Sequence, residues 1–113
     1  MVAAGVMAVA LVIALASADV ARVLIAKGSV QTAADAAALA AVQDLVLPSE
    51  TPPATSAATY ARANGATLVA CTCELGTTEA LVGVQVSVRL GFLGGTREVY
   101  ASARAVVDVP LSP

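Results

Sequence analysis

Gln31–Val46 reads QTAADAAALAAVQDLV, sixteen residues made almost wholly of strong helix formers with neither glycine nor proline. Reading outward from it decides the fold. Towards the N-terminus the same pattern runs without a break into an apolar stretch, and towards the C-terminus it meets Pro48, Pro52 and Pro53, residues that end helices. One helix is therefore expected over about 1–47, roughly 70 Å long at ~1.5 Å per residue, more than twice the thickness of a bilayer's apolar layer. Gly28-Ser29 is its weak point, read as a tolerated surface glycine. On the distal half, Lys27, Gln31 and Asp35 form a polar stripe, and Leu39, Val42 and Val46 form an apolar line on which a sheet would sit.

From Met1 to Ala18 there is no charge, and Ser17 alone is polar, which reaches the lower limit for a membrane-spanning helix. Ala10, Ala14 and Ala18 recur at every fourth position on one face, where small side chains let another helix backbone come close. Asp19 and Arg22, three apart, are expected to form an ion pair, within the helix or between subunits. A charge surrounded by apolar helices needs such a partner. Ala16-Ser17-Ala18 also reads as a secretory cleavage site. Against this, no basic region precedes the apolar run and the helical pattern continues through Val20, Val23 and Leu24. Arg22 and Lys27 favour a cytoplasmic position for the C-terminal side, whereas a basic leader ahead of Met1 would reverse that orientation.

Beyond a Pro/Ser/Thr linker at 48–55, residues 56–113 read as a small head. A short helix is expected from Ser56, its cap, to Asn64-Gly65. Three strands follow, at Thr67–Glu74, Ala80–Leu90 and Glu98–Val107. The second puts Val82, Val84, Val86, Val88 and Leu90 on one face, and the third puts Val99, Ala101, Ala103, Ala105 and Val107 inward, with the turn at Gly94-Gly95. Pro110 and Pro113 leave an irregular tail. The expected fold is α+β, a long helix with an antiparallel meander of about three strands packed on its distal half. So small a head needs that helix for support. Cys71 and Cys73 share a face if the strand is regular, too far apart to bond without a local bulge or turn. A disulfide, within or between subunits, stands level with two buried thiols. Two cysteines without histidine do not complete a zinc site.

Of the 113 residues, 58% are hydrophobic and only 12% charged, about half the charge of a soluble domain, so much of the surface is made for lipid or for copies of the chain. With a net charge of −2 and no basic cluster, nucleic acid is not an expected partner. Histidine is absent, Asp19, Asp35, Asp44, Glu50, Glu74, Glu79, Glu98 and Asp108 are dispersed, and no nucleophile has a recognisable base. Neither an enzyme nor a cofactor is expected.

Gln31, Ala33–Ala38, Leu39 and Ala40 resemble the Gln-x-Ala-Ala-Asp-Ala-Ala-Ala-Leu-Ala segment that follows the apolar helix in TadE/TadG-like proteins of tight-adherence (Tad) pili, relatives of type IV pilins. The stretch Ala63-Asn64-Gly65-Ala66 with Leu68, Val69 and Cys71, and the late Ala103-Arg104-Ala105, are similar to short members of that group. The resemblance covers most of the chain and implies a subunit held in the cytoplasmic membrane and available for assembly, by pilus machinery, into an extracellular filament of its own copies. Gly5 departs from it if Met1 is the mature start: filament-forming pilins usually carry glutamate at the fifth mature position, so a shifted register, assembly without that charge, or an accessory role is implied. A minor pseudopilin, or a secreted module released after Ala18, are the alternatives.

Overall fold

The computed structural model describes residues 2–47 and 50–107. Pro48, the expected helix stop, lies outside them, as do Asp108 and the tail prolines Pro110 and Pro113. Helix α1 spans Val2–Val46, and a shorter helix α2 spans Pro53–Ala63. Strands β1 (Thr67–Thr72), β2 (Glu79–Arg89) and β3 (Thr96–Val106) form one antiparallel sheet in the order β1-β2-β3. This is the α+β arrangement expected, with the sheet packed on the long helix, and the molecule measures 79 × 29 × 17 Å. Helix α1 continues through Gly28 and Ser29, and nothing lies within 4 Å of where a Gly28 side chain would start.

The core is made of small residues. Helix α1 buries Val30, Ala33, Ala34, Ala37, Ala38, Ala41, Val42 and Leu45, a stripe at three- and four-residue spacing. Ala57 and Ala61 of α2, Ala80, Val82 and Val84 of β2, and Val99, Ala101 and Ala105 of β3 close over it. The expected docking line was only one-third right: Val42 is buried, but Leu39 is 57% exposed and Val46 42%. The sheet and α2 together settle on the face whose side chains permit the closest approach, so alanine size, rather than the bulk of Leu39, selects the contact. Val86 and Val88 are half-buried, because the helical alanines lie under the other end of β2.

The linker also ends sooner than expected. Helix α2 begins at Pro53, not Ser56, with extended Pro52 ahead of it (φ −61, ψ 147). Proline suits the first helical position, where its missing N–H costs no hydrogen bond. Ser56 is therefore not a cap. Its hydroxyl donates to Asp44 Oδ2 on α1 and ties the two helices together. At the other end Asn64 caps α2, and Gly65 turns the chain at φ +81.

Strand β1 stops at Thr72, two residues short of the expected end, and is interrupted by a bulge between Leu68 and Ala70. Cys71 is thus in the strand and Cys73 beyond it, with Cα atoms 5.5 Å apart and the pair joined as a disulfide. That departure from the strand supplies the bend which an alternating Cys-x-Cys would lack. Both half-buried residues pack against the core cluster.

Strand β3 is an edge, and its free carbonyls meet the polar stripe of α1. Lys27 Nζ donates to Tyr100 O at 2.7 Å, and Gln31 Nε2 donates to Ser102 O at 3.1 Å. The polar stripe therefore covers a strand edge that would otherwise be open to pairing.

Candidate functional site

Two surfaces stand out, the exposed stalk and the point where the head grips it. Residues 2–14 of α1 project beyond the head, with Val2 82%, Met7 73% and Val6 64% exposed. Helix α1 is long and apolar enough to cross a membrane. Ala10, Ala14 and Ala18 are all exposed on this stalk. They are not equivalent, because Ala18 borders a hollow shared with Leu15, Asp19, Arg22, Gly91 and Phe92, at the foot of the head.

Asp19 is the first charged residue after the apolar run and is only 2% exposed, the one buried charged side chain among the described residues. Its carboxylate accepts three consecutive backbone N–H groups from the β2–β3 turn. Gly91 donates to Oδ1 at 3.0 Å, and Phe92 and Leu93 donate to Oδ2 at 2.9 and 2.7 Å. Successive N–H groups converging on one anion form a backbone nest, here filled by a side chain from another element. Arg22 Nη1 lies 3.7 Å from Oδ1, so the Asp19–Arg22 contact is made within one chain, and the arginine extends over Gly91. The turn reaches this position because Gly94 and Gly95 both adopt positive φ (+75 and +80), a region that costs other residues about 1–2 kcal/mol.

The Leu93 N–H does most to hold the Asp19 carboxyl below its ordinary value of 3.8. Burial acts the other way, and Gly91, Phe92 and Arg22 add to the lowering. A depressed folded-state pKa means that the clamp's contribution is complete above the ordinary value and is lost as pH falls through the lower, folded one. Amide exchange of Leu93 measured against pH should therefore show protection kept down to the ordinary carboxylate range and lost only in stronger acid.

The sequence reading placed Asp19 with Arg22 but missed Gly91, Phe92 and Leu93, which lie more than 70 positions away and act through backbone atoms. The available signal was the pairing of a lone acid at the end of an uncharged run with a Gly-Phe-Leu-Gly-Gly turn rich in unpaired donors. Two further acids tie the strands together. Glu79 forms a two-point ion pair with Arg104 (2.6 and 2.8 Å), and Glu98 accepts from Ser87 across the strands at 2.8 Å. Among the described residues no group of three His, Cys, Asp or Glu is placed to hold a metal ion.

No protein family, curated protein or solved structure matches this chain.

Proposed function

We propose that this chain is a structural subunit anchored by its apolar stalk, and in particular a pilin-like subunit that polymerises through α1 into an extracellular filament of the type IV or Tad kind. The observation that carries the reading is the shape of the apolar surface. Residues 2–14 form a bare hydrophobic rod while the head buries its own core on the distal half. An apolar surface of that size needs lipid or copies of itself around it. Lipid of the cytoplasmic membrane holds the stalk before assembly, and neighbouring stalks replace the lipid afterwards, with pilus machinery moving the subunit from one to the other. The resemblance of Gln31–Ala40 to TadE/TadG-like proteins supports this form of the proposal. The role is structural rather than catalytic.

Electron microscopy of material sheared from producing cells, with mass spectrometry of the subunit's N-terminus, tests the reading. Thin filaments composed mainly of this chain and starting ahead of Ala18 are the expected result. A chain starting at Asp19 would instead identify a secreted module. The Ala14→Leu variant is expected to fold as the parent does, since Ala14 is exposed, but to lose most filaments because leucine holds the neighbouring helix away. Unchanged filament abundance and symmetry would rule out the alanine contact.

A second reading, a minor pseudopilin that stays in the membrane or primes the pilus, is favoured by Gly5. If Met1 is the mature start, the fifth position is Gly5 and lacks the glutamate that filament-forming pilins usually carry there. Retention in the membrane fraction and absence from filaments would select it.

A further inference from the structure

We propose that the β2–β3 turn, Gly91–Gly94, is an interfacial anchor that dips into the bilayer beside the stalk and fixes the head against the membrane surface. The inference rests on the reading that residues 2–18 lie in lipid before assembly, and adds a second contact with the same bilayer.

Three observations carry it. The first is position. Phe92 borders Leu15 and Ala18 in one hollow, and Leu93 borders Val20, Val23 and Leu24 in another, so the turn lies where the uncharged run ends. Leu15 is about one helical turn, ~5 Å, inside that boundary at Asp19, within the depth to which interfacial apolar groups insert, about 5–10 Å. Phe92 and Leu93 are 45% and 64% exposed, and Phe92 shares its hollow with Leu15 and Ala18 of the stalk.

The second is satisfaction of the backbone. An irregular turn entering lipid has to have its N–H groups paired, since water is scarce there. Gly91, Phe92 and Leu93 all donate to Asp19, and Leu90 N–H donates to Gly95 O at 3.0 Å. Arg22 beside Asp19 offsets the carboxylate's charge.

The third is charge. The chain's net charge is −2, yet Arg89 and Arg97 lie together at this end of the head and both are exposed, while the charge of Arg22 is taken up by Asp19. Asp19 is enclosed, and Glu98 is engaged with Ser87. A basic rim around an apolar tip fits an anionic lipid surface, phosphate above and acyl chain below.

The chain contains no tryptophan, so Phe92→Trp places a sole tryptophan at the tip and Val9→Trp, in a separate variant, places one in the stalk, each excited at the red edge where the tyrosines do not absorb. Each full-length variant is reconstituted in vesicles of phosphatidylcholine and phosphatidylglycerol carrying bromine on the acyl chains. The expected result is that both tryptophans lose most of their emission, the Val9→Trp variant to deep bromines and the Phe92→Trp variant to shallow ones, with Phe92→Trp shielded from aqueous iodide. Quenching of Val9→Trp alone, with Phe92→Trp open to iodide, would overturn the anchor and leave the spanning stalk intact. Emission from Phe92→Trp that ignores bromine and shifts with protein concentration would overturn it in favour of a second copy covering the tip. Failure of both to respond would remove the lipid-embedded stalk and the anchor with it. Leu93→Trp repeats the measurement if Phe92→Trp does not fold.

Discussion

Replacing Asp19 with alanine is expected to free the tip of the β2–β3 hairpin from α1 while the sheet stays docked on the alanine face. The carboxylate is the shared acceptor for Gly91, Phe92 and Leu93, and among the described residues the other side chains lining the hollows beside it are apolar or arginine and offer no acceptor. A buried donor without an acceptor is costly, so the turn must lift until water replaces the lost oxygens. Measured by amide exchange on the full chain in detergent micelles, protection of those three residues should fall on the order of tenfold or more, while Val82, Val84 and Ala101 keep theirs. Asp19→Asn separates charge from geometry. An amide offers one oxygen and turns its NH2 group on the remaining donors, so either the Gly91 bond or the Phe92 and Leu93 pair survives, but not all three. Undiminished protection in Asp19→Ala would show that the turn holds its position by itself.

The second large effect is expected from Ala37→Leu. Ala37 is fully buried in the cluster that joins α1, α2 and the sheet. Leucine adds three carbons where no space exists, and such overpacking costs about 1–3 kcal/mol, occasionally more. A head this small has little stability in reserve. Thermal unfolding in detergent should show the strand signal lost at a much lower temperature, or absent at the outset, while helical signal persists because leucine and alanine are both good helix formers. Ala14→Leu adds the same carbons to an exposed position and is expected to leave the melting of the head unchanged. Equal melting temperatures for Ala37→Leu and its parent would mean that the helix–sheet contact is looser than its burial indicates.

Much of the fold was legible because it is written in local patterns. The Ala-rich run specifies α1, and strict alternation in β2 and β3 specifies strands whose register the Gly94-Gly95 turn then sets. What was not legible depends on distance or on size. Sequence hydrophobicity singled out Leu39 and Val46, whereas docking follows the alanines, a choice visible only when a sheet has to come close. Pro52-Pro53 read as linker because proline ends helices, yet the same residue begins α2. Asp19 was legible as a charge in need of a partner. Its partners are three backbone groups brought to it by a hairpin, and no side-chain pattern records them.

The grip at Asp19 and the alanine face from Val30 onwards together fix a rotational phase between rod and head. Each residue of an α-helix turns the chain by about 100° and advances it ~1.5 Å. A single residue inserted between Asp19 and Val30 would therefore point the carboxylate away from its turn while the sheet stayed where it was. The bearing of the head around the rod is thus encoded in the residue count of that interval, and so is the direction in which each head faces once a given side of the rod is turned towards a neighbour.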